Sequence, residues 1–268
     1  LLSIDKQILF LLSRADRMET QQIISIYERR NYTAPYIRNA LSRLKKEGYA
    51  DSPSRSAYLI TEAGRRFIRS INLKPQRYRE AWDGTWELVM AEIPEALRKQ
   101  RDRFRADLLQ IGFGLLYSSV YLSPWPYREE VRECIRRHGL ESFVTVFSGR
   151  MPEKDLGPQE AADIWRLDKL ESNYRGKMIW YETDFQPRLE KALAAAPNES
   201  DPLGLFTLYL ELGEAISELN LEDPMLPAAL LPADWAGRRV QDEFTLCLQR
   251  IADTIPSASP YASFFKSN

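Results

Sequence analysis

The segment Thr33–Gly48 constrains this chain more than any other stretch of it. It opens at a threonine suited to capping a helix, carries Pro35 in the first turn where a missing N–H costs nothing, and stops at a glycine. At about 100° per residue, Ile37, Ala40, Leu41 and Leu44 fall on one arc, so a core must cover that side. Arg38, Asn39, Ser42 and Lys46 lie opposite, with Tyr36, Arg43 and Lys45 at the margins. A helix buried on one side and offering Arg, Asn and Ser on the other has the side chains that read base edges in a major groove.

What surrounds this helix fits the same use. Ile4, Ile8, Leu11 and Leu12 mark a first amphipathic helix, and Ile23, Ile24 and Tyr27 a second, which starts at Met18-Glu19-Thr20 and ends near Arg29-Arg30-Asn31. Downstream, Tyr49–Asp51 and Ala57–Ile60 read as short strands flanking the turn-former cluster Ser52-Pro53-Ser54-Arg55-Ser56. A further helix with Arg65, Arg66 and Arg69 follows Thr61-Glu62-Ala63-Gly64. Three helices and a basic-tipped hairpin predict a winged helix-turn-helix. The third helix would enter the groove with Thr33 at its start, while Arg55 at the wing tip would reach a phosphate or the minor groove. A winged helix used only for protein contact needs no positive charge on its third helix, and this one has it.

Net charge first argues otherwise. Lys+Arg 37 against Asp+Glu 38 leaves a formal charge of -1 over 268 residues. The average hides a division. Residues 1–80 carry 16 cations and 8 anions, whereas residues 81–268 carry 21 and 30. A basic front on an acidic back is the asymmetry of a nucleic-acid-binding module with something else attached.

Rare residues narrow the chemistry. His138 is the single histidine and sits in Arg136-Arg137-His138-Gly139, a helix C-terminus, so a hydrolase triad or multi-histidine metal site is not expected. Cys134 and Cys247 are isolated thiols that imply a reducing cytoplasm and no disulfide framework. No apolar run is long enough to span a membrane, and no secretory signal is visible at the start, so a cytoplasmic protein with no metal or cofactor is expected.

Past a polar linker, Leu73–Arg79, patterning gives strand Trp86–Ile93, a helix from about Glu95 to Ile111, strand Leu115–Ser123, a helix Tyr127–Arg137 and strand Phe143–Phe147. That β-α-β-α-β order predicts a small ferredoxin-like α/β domain with its sheet order open. Its basic run Arg98-Lys99-Gln100-Arg101-Asp102-Arg103-Phe104-Arg105 reads as a solvated face, and Arg101, on the Leu97/Phe104 arc, as partly buried and paired. Helices over Trp165–Tyr181, Arg188–Ala196, Leu203–Leu221 and Trp235–Ile255 follow. The last two are joined by a proline-broken apolar segment, Asp223–Trp235, which reads as a packing device. The fold class expected is α+β, mostly helical. Its winged helix would occupy 1–72, its ferredoxin-like domain 80–155 and its helical domain 160–268.

Several segments then match one family in order. The run Tyr36-Ile37-Arg38-Asn39-Ala40-Leu41-Ser42-Arg43-Leu44-Lys45-Lys46-Glu47-Gly48-Tyr49 resembles the recognition helix of the PaaX-like transcriptional regulators, the phenylacetate-catabolism repressors. Trp82-Asp83-Gly84-Thr85-Trp86, Gly112-Phe113-Gly114 and Ser123-Pro124 resemble their central domain. Asp223-Pro224 through Leu230-Leu231-Pro232-Ala233-Asp234-Trp235-Ala236-Gly237 resembles their C-terminal signature. The resemblance covers about 35 to 240; the helices before Thr33 match poorly. It implies a non-enzymatic, homodimeric repressor bound to double-stranded operator DNA. An aryl-CoA thioester such as phenylacetyl-CoA would release it. On chemistry alone, Tyr117, Trp125 and Trp235 are candidates for an aromatic acyl pocket, and Arg98, Arg101, Arg238 and Arg239 for the CoA phosphates. A rival resemblance links the strand ending Glu92-Ile93-Pro94 to CRISPR-associated ferredoxin-fold endoribonucleases, with Glu92 as a lone oxygen ligand for a divalent metal.

Overall fold

The computed structural model describes residues 3–15, 17–54, 56–151, 156–194 and 201–265. The chain forms two compact units. One comprises Leu1–Leu73, Gly176–Glu218 and Arg239–Asn268, the other Lys74–Arg175 and Leu219–Arg238.

The first unit begins with α1 (Ser3–Arg14), where Ile4, Ile8, Leu11 and Leu12 are buried as their spacing requires. Strand β1 (Met18–Glu19), which no pattern in the sequence signals, precedes α2 (Thr20–Glu28). The Glu19 backbone N–H donates to Gln22 Oε1 at 3.0 Å, which satisfies a donor at the start of α2. In α3 (Ala34–Lys46) the buried set is Ile37, Ala40, Leu41 and Leu44, as the periodicity expects. Gly48 ends that helix at φ 77. Gly48 N–H donates to the Lys45 carbonyl at 3.1 Å and Tyr49 N–H to the Leu44 carbonyl at 2.9 Å, two bonds that use up carbonyls the helix leaves open. Strands β2 (Ala50–Ser54) and β3 (Ala57–Ile60) complete an antiparallel sheet in the order β1-β3-β2. The first strand of the hairpin thus runs further into the expected turn cluster than Asp51, with an irregularity between Asp51 and Ser54. Helix α4 (Glu62–Leu73) follows. A Cβ on Gly64 would land on the Tyr49 carbonyl oxygen and the Ile60 side chain, so only glycine lets α4 approach this closely.

The second unit is built on β4 (Trp86–Ala91), α5 (Arg98–Ile111), β5 (Gly114–Tyr117), β6 (Val120–Ser123), α6 (Arg128–His138) and β7 (Val144–Gly149). The stretch expected as one strand, Leu115–Ser123, is a hairpin. Gly114 faces Leu122 and Tyr117 faces Val120, because Ser118-Ser119 turns the chain between two short apolar runs. The hairpin supplies the missing fourth strand. The sheet runs β5-β6-β4-β7, antiparallel throughout, giving a β-α-β-β-α-β unit with the split arrangement of ferredoxin-like domains. Phe104 and Leu108 of α5 and Val131 and Ile135 of α6 pack on Val89, Ala91 and Tyr121. Gly139, at φ 65, ends α6, and His138 Nε2 lies 2.8 Å from Asp107 Oδ2, a structural role in keeping with its helix-end position. The polar stretch expected as a linker is ordered. Lys74–Arg79 forms 3-10 turns, and Lys74 Nζ donates to the Gln110 carbonyl at 3.1 Å. Next come α7 (Pro158–Trp165), which lies ahead of the helix expected from Trp165, and α8 (Leu167–Trp180). Arg166 breaks them apart at φ 54.

Gly176 returns the chain to the first unit. A π-turn at Tyr181–Phe185 joins α8 to α9 (Gln186–Leu193). Pro187 accounts for the widened turn, since its ring would strike the carbonyl four residues back in a regular helix. Helix α10 (Pro202–Glu222), α11 (Gly237–Thr254) and a 3-10 turn at Pro260–Phe265 complete the chain's described part. Phe206 stacks on Tyr261 with centroids 5.0 Å apart, Tyr181 meets Phe244 with tilted rings at 4.9 Å, and Phe10 of α1 meets Tyr209 of α10 at 6.2 Å.

Candidate nucleic-acid interface

Helix α3 presents one polar, cationic face. Thr33, Tyr36, Arg38, Asn39, Ser42, Lys45 and Lys46 are all exposed, and they stand on a helix whose other side is sealed into the core. Arg38, Lys45 and Lys46 have no ion-pair partner among the described residues. An exposed guanidinium, carboxamide and hydroxyl on a rigid helix can bond to base edges, and unpaired cations can neutralise phosphates. Arg55 lies outside the described residues.

Arg43 is differently employed. Its Nη2 and Nε donate to the two carboxylate oxygens of Asp5, at 2.7 and 3.3 Å, in a bidentate fork. Asp5 is only 1% exposed and Arg43 34%. The guanidinium therefore ties α3 to α1, and only its outer part is left for a phosphate. Sequence could have flagged Asp5: it stands beside Ile4 and one turn before the apolar Ile8 and Leu9, on the side of α1 that must be covered.

The end of α2 carries two more cations missed as structural groups. Arg29 pairs with Asp201 at the start of α10. Arg30 Nη2 donates to Glu214 Oε2 of α10 at 2.7 Å, with both side chains largely buried, and its Nη1 donates to Gln7 Oε1. Ser3 Oγ donates to the other Glu214 oxygen. No signal within either segment names these partners, which are more than 170 residues apart.

The candidate effector residues meet different fates. Arg98 and Arg101 share Glu95 and Asp102, so their charges are locally compensated, and Arg101 is paired as its position on the helix suggested. Tyr117 is 57% exposed at the end of β5. Trp125 is buried and donates through Nε1 to the Met225 carbonyl at 2.8 Å. Trp235 Nε1 donates to Tyr78 Oη at 3.0 Å. Arg238 and Arg239 are exposed, but Arg239 belongs to the first unit and the others to the second.

Trp125 meets the proline-broken segment at Met225, and Trp235 reaches Asp223 of that segment by way of Tyr78. That carboxylate accepts from Tyr78 and Tyr174 on Oδ2 and from the Met225 N–H on Oδ1. Burial raises the Asp223 carboxyl above its ordinary range, opposed by those hydrogen bonds and by Lys74. Burial also pushes the Lys74 ammonium down to about 8 against the pull of Asp223. Asp223–Pro227 are buried, so this first part of the segment packs as expected and is organised by a polar centre, whereas Ala228, Ala229, Ala233 and Asp234 are exposed.

Glu92 is exposed just beyond β4, and no group of three or more His, Cys, Asp or Glu residues suited to a metal ion occurs among the described residues. Nothing here favours the nuclease reading. No helix among the described residues is long and apolar enough to cross a membrane.

Comparison with known proteins agrees with the residue patterns. Residues 79–163 match the family model described as the PaaX protein central Cas2-like domain, and residues 165–262 that of the PaaX-like protein C-terminal domain. The Transcriptional repressor PaaX of Escherichia coli (strain K12) is 29% identical over 238 residues, covering 85% of this chain and 71% of the repressor. Among solved structures, the uncharacterized protein Rv0674 from Mycobacterium tuberculosis is similar at a TM-score of 0.49 and 21% identity, over 88% of this chain and 90% of that one. A likeness that loose assigns no residue a role.

Proposed function

The chain belongs to the PaaX family, and from that premise we propose that it represses the phenylacetate catabolic pathway by reading operator DNA through α3. One observation carries the reading: α3 buries Ile37, Ala40, Leu41 and Leu44 while Arg38, Asn39, Ser42, Lys45 and Lys46 stay exposed on its far side. Helices α1–α3 with the β2–β3 hairpin act as a winged helix-turn-helix. Helix α3 enters the major groove, and the hairpin tip with Arg55 serves as the wing. Thr33 and Tyr36 lie at the end of α3 that enters first. The chain acts as a homodimer in the cytoplasm, so its operator has inverted-repeat character. An aryl-CoA thioester such as phenylacetyl-CoA lowers operator affinity. It needs no enzymatic step.

The test uses a labelled duplex carrying the promoter of the phenylacetate operon from the same organism, with a scrambled duplex as control. Arg38→Ala, Asn39→Ala and Ser42→Ala together should abolish discrimination between the two duplexes, at about 1–3 kcal/mol for each base that is no longer read. Lys46→Ala should weaken binding to both equally and flatten the salt dependence by about one phosphate's share. Unchanged discrimination in the triple variant would sink the recognition-helix assignment. Phenylacetyl-CoA titrated into the preformed complex should release the operator duplex. If no aryl-CoA does so, the effector claim fails and the repressor claim stands.

A further inference from the structure

The turn between α2 and α3 sets the direction in which α3 leaves the core, and that turn is held by a helix from the other end of the chain. Arg30 is the last residue before it. Asn31 follows in a left-handed conformation at φ 62, and Tyr32 N–H closes back on the Tyr27 carbonyl at 3.1 Å. Glu214 of α10 takes Arg30 Nη2 at 2.7 Å, with exposures of 12% for Arg30 and 17% for Glu214. Its second oxygen takes the Ser3 hydroxyl of α1, while Arg30 also donates to Gln7 of α1.

From this pair an unbroken series of contacts reaches the exposed face of α3. The Arg30 guanidinium lies 5.7 Å from the Tyr32 ring centroid. Tyr32 in turn stacks on Tyr36 of α3, centroids 5.6 Å apart and planes 12° from parallel. Tyr27 braces Tyr32 edge-on at 6.0 Å. The series therefore passes from a carboxylate to a guanidinium, to one ring, and to a second ring on the proposed DNA-reading surface. A half-buried charge pair has few alternative partners and so fixes its neighbours' geometry closely.

We propose that Glu214 is a positioning residue for operator recognition: it holds Arg30, and through Tyr32 and Tyr36 it fixes the α2–α3 turn and the pose of α3. This rests on the operator-binding reading above and goes beyond it. It makes a residue of the distant helix α10 part of the machinery that reads DNA, although Glu214 itself touches none. Arg30 is thereby spent on geometry and not on a phosphate.

Operator affinity of Glu214→Gln, Arg30→Gln and the exchanged pair Arg30→Glu/Glu214→Arg should be measured on the same promoter duplex across a salt series. Circular dichroism would establish first that each variant is folded. The single variants should lose affinity on the order of tenfold with the salt slope unchanged, and the exchanged pair should recover most of it. Amide hydrogen exchange at residues 31–37 should rise in Glu214→Gln while α4 keeps its protection. If Glu214→Gln does not fold, Glu214→Asp keeps the charge, shifts its position and reads the same quantities. A folded Glu214 variant with wild-type affinity and unchanged exchange at 31–37 overturns the proposal. A flattened salt slope in Arg30→Gln also overturns it, because Arg30 would then contact phosphate directly. Failure of the unaltered chain to bind the duplex removes the operator reading instead, and the exchange arm still decides the role of Glu214.

Discussion

Arg43 and Lys46 stand one turn apart on α3 and look interchangeable as sequence, yet they do different work. Lys46 is exposed and has no ion-pair partner among the described residues, whereas the Arg43 fork closes on an Asp5 carboxylate that is almost wholly buried. Removing Arg43 leaves that carboxylate without its cation. Breaking a fully buried pair costs about 3–5 kcal/mol, and because a third of Arg43 remains in solvent we expect Arg43→Ala to cost nearer 2 kcal/mol. Lys46→Ala should stay within about 0.5 kcal/mol. Urea denaturation of both variants checks this. Equal midpoints would mean that the Asp5–Arg43 fork contributes nothing. Any loss of operator affinity in Arg43→Ala is then to be read with its loss of stability, and the uniform phosphate effect proposed above is to be measured at Lys46.

At the scale of elements, periodicity foretold what periodicity can encode. The buried faces of α1 and α3, the Gly48 stop and the places of α5, α6, β4 and β7 in the second unit all follow from spacing and turn residues. Three features escaped for physical reasons. The two-residue strand β1 is too short to alternate, and it exists because β3 offers it a free edge. The β5–β6 hairpin turns on Ser118-Ser119 without the glycine or asparagine that usually announces a tight turn, so two strands read as one. The 3-10 turns at Lys74–Arg79 owe their order to Gln110 and Asp223, both far along the chain. The candidate site was legible where it is local, on α3, and illegible where it depends on Asp5, Asp201 and Glu214. One element-level approach is checkable directly. Helix α4 touches the Tyr49 carbonyl at Gly64, so Gly64→Ala must push the helix outward. We expect a loss of about 1–3 kcal/mol, the usual cost of overpacking, and a thermal melt within a degree of wild type would show that α4 yields freely.

For the whole molecule, the cationic front is not a free-standing module. Its compact unit also takes in Gly176–Glu218 and Arg239–Asn268, so Phe10, Ser3 and Arg30 find their partners in Tyr209 and Glu214. Two of the front's cations, Arg29 and Arg30, are neutralised there by the acidic back, by Asp201 and Glu214. A fragment of residues 1–73 would lack those partners. It should give a poorly dispersed amide NMR spectrum and a non-cooperative melt, and a sharp, dispersed spectrum would contradict the dependence. The division of that unit into three stretches also orders events during synthesis. Helix α3 is made well before Arg239–Asn268, the last stretch of its unit. A nascent or truncated chain without that stretch is therefore not expected to hold α3 in its folded unit, and on the reading proposed above it would not yet occupy an operator.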